Sequence, residues 1–209
     1  MKPGIKFLVL FLAFFSLSSF WHSRPQQAND WVYEREKKGI EIFTKKGSWG
    51  KLRDSKATMT VAATPEQTLS LLTDFDHYNT WLPRCKKSRL LARPNDHEYI
   101  VRLVFGAPWP IKDRDCVVRV KVEKDAKNGG ILITEISEPK YINEEENVVR
   151  IQQMICTWRL TPKGTGTDIV NEYSSNPGGN IPDWLTNSQS VENPLATFEI
   201  LKQKVSTQK

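Results

Sequence analysis

Histidine and cysteine, the side chains that most often act as general bases, nucleophiles or metal ligands, are few in this sequence. The histidines are His22, His77 and His97; His77 lies in Asp76-His77-Tyr78, but an acid–base role needs a second partner that the sequence does not identify. The sequence has no Gly-x-Ser-x-Gly elbow, no phosphate-binding glycine loop and no His/Cys spacing typical of a metal site. We therefore predict no catalytic residue, no metal and no cofactor, and expect a protein that is not an enzyme.

The three cysteines, Cys85, Cys116 and Cys156, form no short-spaced metal or redox motif. In an oxidising compartment one disulfide among them is open to formation, and one thiol would then be left over. Cys116 and Cys156 lie inside β-type runs, where a cysteine usually behaves as a small buried hydrophobic residue. We favour that interpretation for both.

The first part of the chain has the composition of a secretory signal. Lys2 and Lys6 precede an apolar stretch, residues 7–15, which is followed by Ser16–Ser19. The apolar stretch is shorter than the ~20 residues that a membrane-spanning helix needs. We therefore predict that residues 1–28 are a signal peptide of bacterial type and that the protein is exported, to the periplasm or out of the cell. An N-terminal anchor that is not cleaved is the alternative interpretation.

The remainder, residues 29–209, amounts to about 180 residues, enough for one domain with a sizeable hydrophobic core. The formal net charge of the whole chain is +6, and it falls to about +3 without the basic residues of the leader. This small, scattered surplus is compatible with an anionic membrane surface but argues against a nucleic-acid partner. The basic residues within 86–93 are interpreted as a solvated face.

Strand signals dominate this domain, and helix signals occur near its beginning and at its end. Thr64-Pro65 is typical of a helix start, because threonine can cap the helix and proline suits its first turn. Strands, one helix, a long antiparallel meander and a final helix together predict an α+β domain. The predicted elements are strands at 31–37, 40–46 and 51–61, a helix from Thr64 to Leu72, a short helix or turn at 74–83, strands at 88–92, 98–105, 114–122, 131–136, 148–160 and 167–175, and a final helix from Pro182 to Lys204.

The segment Asn176-Pro177-Gly178-Gly179 is a strong turn signal between the last strand and the final helix, because proline presets φ and glycine accepts a positive φ. A helix in this position must lay its apolar side on the preceding sheet. Within this helix, Pro194 removes a hydrogen bond and predicts a kink or a break.

Several residues, in order along the chain, resemble a known family. They are Trp31 with Gly39-Ile40, Trp81, Pro110 with Arg114-Asp115 and the valine-rich strand that follows, Val149-Arg150, and the run Pro177–Leu185. In this order and spacing the chain resembles a StAR-related lipid-transfer (START) domain, over about Trp31 to Lys204. Two positions depart from the family pattern: Asn176 stands where an aspartate is frequent, and Cys116 stands where an aromatic residue is frequent.

The resemblance implies a helix-grip fold, in which a curved antiparallel sheet wraps around a long C-terminal α-helix and leaves an internal apolar cavity. It also implies that a monomer binds a single hydrophobic lipid, such as a sterol or phospholipid, and carries it between membranes through transient contact with their surface. A lipid tail gains about 0.8 kcal/mol of free energy for each CH₂ group that moves from water into such a cavity. Two alternatives remain open: a helix-grip enzyme of cyclase or hydrolase type acting on a hydrophobic substrate, and a lipid-sensing module without transfer.

Strand and helix periodicity selects the side chains that would line the cavity, although ordinary core packing is the alternative for each apolar one. The polar candidate Arg102 would, if inward, need a ligand anion or Glu135 as its partner, and is otherwise a solvated residue. The candidates are Arg102, Cys116, Val118, Val120, Met154, Cys156, Trp158, Leu185, Ser188, Glu192 and Leu195.

Entry of a ligand is expected to require motion of one of two segments, the final helix with its preceding turn at 176–180 or the loop 106–112, since each is hinged by glycine or proline. Arg114-Asp115, at the entry of the valine-rich strand, either ties the preceding loop or touches the ligand. We favour the tie.

Overall fold

The computed structural model describes residues 30–50, 52–179, 181 and 183–207, with side chains for all of these except 183–187. The described chain has an α+β fold, in which a curved sheet packs against a long C-terminal helix. The predicted fold class is thereby confirmed. The predicted signal peptide, residues 1–28, lies outside the described residues.

The sheet has ten strands in the order β1-β2-β3-β10-β9-β7-β6-β5-β4, with β8 attached beside β6. From β4 to β10 the chain therefore runs largely as the predicted meander, and the N-terminal hairpin with β3 extends the sheet beyond β10. The elements are β1 (Val32–Lys37), β2 (Ile40–Lys45), β3 (Asp54–Val61), α1 (Pro65–Leu72), a 3-10 helix (Phe75–Thr80), β4 (Cys85–Asn95), β5 (Glu98–Phe105), β6 (Asp113–Lys124), β7 (Ile131–Ser137), β8 (Val148–Arg150), β9 (Gln153–Lys163), β10 (Gly166–Asn176) and α2 (Asp183–Thr207).

One predicted strand is wrong. Residues 148–160 were expected to form a single strand, but the structure divides them into β8 and β9 at Ile151-Gln152. Strand β8 pairs with β6 in parallel, and β9 pairs antiparallel with β7 and β10. The short parallel strand covers the beginning of β6, where Arg114, Asp115 and Cys116 are all buried.

Helix α1 begins as its sequence predicts. The Thr64 hydroxyl accepts a hydrogen bond from the Gln67 backbone N–H, and the Gln67 side chain accepts one from the Thr64 backbone N–H. This reciprocal pair satisfies two donors that a helix start leaves free, and Pro65 needs no partner there. The 3-10 helix that follows leads into Trp81, which is buried.

Helix α2 packs on strands β2 and β3 through one buried ridge. The ridge consists of Leu195, Phe198, Leu201 and Val205, which follow helical spacing and are all buried. Pro194 lies inside the helix, which continues past it, so the predicted break does not occur and a kink stays a prediction. None of the helices in the described residues is long and apolar enough to cross a membrane.

Cys85, Cys116 and Cys156 are free and buried in the hydrophobic core. The interpretation of Cys116 and Cys156 as small buried hydrophobic residues is confirmed. Burial raises the thiol pKa of all three, to about 11 for Cys85, so none is a nucleophile near neutral pH.

Candidate functional site

A cavity of about 290 Å³ lies between the sheet and the N-terminal half of α2. Its sheet wall is formed by alternating side chains of strands β5, β6, β7, β9 and β10, because every second residue of a strand points to the same face. The strand residues on this wall include Leu103, Cys116, Glu135, Met154, Trp158 and Asn171.

The helix wall of the cavity is polar. It is formed by Gln189, Ser190, Asn193, Pro194 and Thr197 of α2. The Ser190 hydroxyl donates to the Arg53 carbonyl oxygen (2.8 Å) and the Thr197 hydroxyl donates to the Asn193 carbonyl oxygen (2.9 Å). The hydroxyls of this wall are thus engaged with backbone, which leaves their methylene and methyl groups as contact surface.

Three loop segments border the cavity: 81–84, 105–108 with Ile111, and Pro177 with Ile181. The first two are joined by a hydrogen bond from the Gly106 N–H to the Arg84 carbonyl oxygen (2.8 Å). The second and third segments belong to the regions for which motion during ligand entry was expected, the loop 106–112 and the turn before α2. The loop also carries Trp109, whose surface is 92% exposed.

Glu135 is a buried carboxyl group on the sheet wall. Burial raises its pKa from its ordinary value of 4.5 to about 7, although a hydrogen bond with the Trp158 side chain opposes the shift. Among the described residues no arginine or lysine forms an ion pair with it. Glu135 is therefore a lining carboxyl group that is neutral below about pH 7.

Two further polar groups on the cavity wall, those of Asn171 and Tyr78, are satisfied within the protein. The Asn171 side-chain amide donates to the Thr157 carbonyl oxygen (3.0 Å) and to Cys156 Sγ (3.1 Å). The Tyr78 hydroxyl donates to the Leu72 carbonyl oxygen, and burial raises its pKa well above the usual value. These groups present an apolar face to the cavity, because their hydrogen-bonding capacity is already used.

Arg114 is the basic counterpart of Glu135 on the cavity wall. Its guanidinium donates to two backbone carbonyl oxygens, those of Lys112 and Gly178, the latter at 3.2 Å. It therefore ties the loop 106–112 to the turn before α2. This is the tie to the preceding loop that the sequence favoured. Burial lowers the pKa of Arg114, and the nearby Asp113 opposes this. The side chain remains a cation at neutral pH.

The described residues contain no group of three or more histidine, cysteine or acidic side chains that could hold a metal ion. The cavity is thus a mostly apolar chamber whose lining residues include one carboxyl group, that of Glu135, and three arginines, Arg53, Arg84 and Arg114. Such a chamber can bury a hydrophobic molecule and orient it through a few polar contacts.

Residues 53–188 match the family described as polyketide cyclase/dehydrase and lipid transport. The chain belongs to this family. An uncharacterised protein of Pseudomonas aeruginosa is 28% identical over 176 residues, 84% of this chain and 86% of that protein. The phosphatidylcholine transfer protein of Mus musculus is 25% identical over 164 residues, 76% of this chain and 75% of that protein.

A solved structure shows how closely the fold of this family member agrees with START domains. A STAR-related lipid transfer protein from Xanthomonas axonopodis superposes with a TM-score of 0.79 at 28% identity, covering 86% of this chain and all of that chain. The START-type helix-grip fold inferred from the resemblance is confirmed.

In this family member, some of the predicted lining residues reach the cavity and others do not. The structure places Cys116, Met154, Cys156 and Trp158 on its wall. Val118 and Val120 have the predicted inward phase and are buried, but they lie in packed core and not on the wall. Contact of any of these residues with a ligand stays a prediction.

The proposed inward position of Arg102 is wrong. Its neighbour Leu103 faces the cavity, so Arg102 points to the opposite face of the sheet. There its Nε donates to Asp115 at 3.0 Å, and its Nη1 pairs with Glu145. Its partner is therefore Asp115 and not Glu135, and Asp115 also receives two hydrogen bonds from the buried Arg150, at 2.8 and 2.9 Å.

The predicted helix face is also corrected. Ser188 and Glu192 are exposed, and Glu192 pairs with Arg35 of β1 at 3.0 Å. Leu195 belongs to the buried ridge of α2 and not to the cavity wall, and the side chain of Leu185 lies outside the described residues. The cavity face of the helix is offset from the predicted one, because the apolar ridge sits on β2 and β3.

Sequence reasoning missed the polar helix wall and the position of Glu135 on the cavity wall. Gln189, Asn193 and Thr197 were overlooked because the predicted helix face contained Ser188 and Glu192, which lie one residue out of phase with the cavity. The signal for Glu135 was present: it shares strand phase with Ile131 and Ile133, which are buried. A charged residue in the inward phase of a strand is uncommon and marks a candidate site.

Proposed function

We propose that this protein binds one hydrophobic lipid in the cavity and carries it between membranes. The observation that carries the proposal is the cavity itself, about 290 Å³ of mostly apolar space between the sheet and α2. A lipid tail gains about 0.8 kcal/mol for each CH₂ that leaves water, so a chamber of this kind is a favourable site for one. The names of similar proteins, phosphatidylcholine transfer protein and STAR-related lipid transfer protein, support the same class of ligand.

Carriage requires the loaded protein to meet a membrane, and the loop 106–112 has suitable chemistry for this. Trp109 is 92% exposed, and it stands next to lining residues Pro108 and Ile111. Lys86 and Lys112 are basic neighbours: Lys86 pairs with Asp113 and Lys112 donates to the Glu146 carbonyl oxygen. Exposed tryptophan next to lysine favours an interface with anionic lipid headgroups.

The direct test is native mass spectrometry of the purified protein, followed by extraction and identification of its ligand. We expect one lipid per chain and transfer of that lipid between donor and acceptor vesicles. Recovery of no lipid, together with no transfer between vesicles of several compositions, would contradict the proposal. Lipid recovery without transfer would favour storage or sensing.

A helix-grip enzyme is the second candidate, because the family description includes cyclases and dehydrases and because Glu135 has a pKa near 7 inside the cavity. A carboxyl group tuned to neutrality can transfer protons. However, burial raises the pKa of the lining thiols Cys116 and Cys156 and of the lining phenols Tyr78 and Tyr173, which moves them further from neutrality. A product that forms with the wild type and not with Glu135→Gln would establish this alternative; an unchanged ligand after incubation argues for the carrier.

We further propose export, on the composition of residues 1–28 alone. Cell fractionation and N-terminal sequencing of the full-length protein test this. A mature chain that begins within or just after this segment is the expected result, and a full-length chain in the membrane fraction would indicate the uncleaved anchor.

A further inference from the structure

Arg114 has an unused hydrogen-bond donor on the cavity wall. The residue is only 7% exposed. Two of its nitrogens donate to the carbonyl oxygens of Lys112 and Gly178, but its buried Nε has no hydrogen-bond partner among the described residues. Buried N–H groups in native proteins are nearly always paired, so a donor left over beside a cavity calls for an acceptor that comes from outside the chain.

The charge of Arg114 is also left without a carboxylate. No ion pair to Arg114 occurs in the part of the chain that the structure describes. The adjacent Asp113 is engaged elsewhere: it accepts from Lys86 Nζ at 2.8 and 3.1 Å and from the Ala107 N–H at 3.1 Å. Asp115, on the opposite face of β6, forms ion pairs with Arg150 and Arg102.

Arg150 provides the internal comparison. Its side chain is fully buried, and it forms a two-point pair with Asp115 as well as hydrogen bonds to three carbonyl oxygens. The same strand region therefore holds one buried guanidinium with a carboxylate and one without. Burying a cation without a counter-charge is costly, which makes Arg114 the exception that needs an explanation.

A second buried donor lines the same cavity. Trp81 is 5% exposed, and its indole Nε1 has no hydrogen-bond partner among the residues that the structure describes. Trp81 and Arg114 each have a buried N–H donor for which the described residues provide no acceptor. A carboxylate or a phosphate has two or more acceptor oxygens and a negative charge. It can therefore accept hydrogen bonds from these donors and also balance the charge of Arg114.

We propose that Arg114 receives the anionic headgroup, a carboxylate or a phosphate, of the lipid in the cavity, so that this protein selects anionic lipids over neutral ones. The proposal rests on the proposed lipid-binding function and adds the class of ligand. Trp81 supplies a further hydrogen bond at the same cavity. Gly179 leaves the room that the guanidinium needs, because a Cβ on this residue would stand 3.3 Å from Arg114 Nη2.

The test compares amphiphiles that share one dodecyl chain and differ in the head. Dodecyl phosphate and laurate provide the two anions, dodecanol is neutral and dodecyltrimethylammonium is a cation. Dissociation constants are measured by calorimetry on the wild type at pH 6, below the micelle concentration of each compound. We expect at least one anion to bind about ten- to a hundredfold more tightly than dodecanol, the gain typical of a hydrogen bond to a charged group. The stronger of the two anions identifies the headgroup.

Substitutions at Arg114 test whether this residue causes the preference for anionic amphiphiles. Arg114→Gln is expected to lose most of the tenfold to hundredfold preference, and Arg114→Lys to keep part of it, because the charge remains while the Nε donor is lost. Arg119→Gln is the matched control: it removes an arginine of the same strand that faces solvent and pairs with Glu138 at the sheet surface. Thermal unfolding of each variant shows whether the fold is intact, and the wild-type comparison stands even where Arg114→Gln does not fold.

The outcomes separate the two proposals. Equal affinity of the wild type for dodecanol and both anions, or an unchanged preference in a folded Arg114→Gln, would overturn the role of Arg114 and leave lipid binding intact. Tightest binding of the cationic amphiphile would also overturn it. If no dodecyl compound and no vesicle lipid binds at all, the proposed function itself fails.

Discussion

The rings of Trp158 on β9 and Phe198 on α2 are stacked, with centroids 5.7 Å apart and planes inclined by 14°. Trp158 lines the cavity, whereas Phe198 is fully buried in the ridge of the helix. This pair therefore joins the sheet wall to the buried ridge of the helix, and its loss should loosen the contact on which the cavity depends.

Phe198→Ala should lower the free energy of unfolding by about 3–5 kcal/mol, because it removes a buried aromatic ring and leaves a void beside the cavity. Phe198→Leu, which keeps much of the volume, should cost clearly less. Urea unfolding monitored by tryptophan fluorescence measures both. Equal and small effects would show that the stack contributes little.

The second prediction concerns the pH dependence that Glu135 introduces. Its pKa is raised from 4.5 to about 7 by burial, so between these values the folded protein holds a proton that the unfolded chain has released. Stability should therefore be greatest near and below pH 4.5, as far as this group is concerned, and fall by on the order of 3 kcal/mol as the pH rises to about 7 and above.

Glu135→Gln should remove this dependence. The variant should be more stable than the wild type at pH 8 and similar to it at pH 5, in urea unfolding measured across that range. Glu138→Gln, at a partly exposed position paired with Arg119, is the control and should leave the slope unchanged. Parallel curves for wild type and Glu135→Gln would mean that the carboxyl group is not held neutral by burial.

The third prediction concerns Trp109. Trp109→Ala should weaken binding to anionic vesicles by about tenfold or more, because the variant lacks the large amphipathic ring that Trp109 buries in the headgroup region. It should change the free energy of unfolding by less than about 0.5 kcal/mol, since the residue is exposed. Vesicle co-sedimentation is the measurement, and Tyr141→Ala, which alters an exposed aromatic residue outside this loop, is the control.

The fourth prediction uses two glycines with similar backbone. Gly164 and Gly179 have φ of +58° and +67°, so alanine at either is strained by about 1–2 kcal/mol. A Cβ at Gly164 meets nothing within 4 Å, whereas at Gly179 it would press on Arg114 Nη2. Gly179→Ala should therefore lower the melting temperature more than Gly164→Ala and also weaken ligand binding. Identical effects of the two substitutions would show that only backbone strain matters.

Much of the fold was predictable because its signals are local. The alternation along residues 114–122 predicts β6, and Thr64-Pro65 predicts the start of α1. Turn residues placed the hairpin around Lys38-Gly39, where both residues have positive φ. These features depend on neighbours in sequence, and physical rules for such neighbours are well defined.

The errors arise from contacts between residues that are distant in the chain. Arg102 pairs with Glu145, 43 positions away, and no local pattern indicates that partner. The parallel pairing of β8 with β6 likewise joins segments separated by a loop. On α2 the predicted face, with Ser188 and Glu192, was one residue out of phase with the cavity, so Gln189 and Asn193 were missed as cavity wall.

Arg114 and Asp115 are adjacent in β6, yet one faces the cavity and the other faces the network of Arg150 on the far side of the sheet. A slip of β6 by a single residue would exchange them. It would put a carboxylate into the apolar chamber and leave Arg150 buried without its counter-ion, two errors that each cost several kcal/mol. The pair therefore disfavours a shifted register of β6, independently of any ligand.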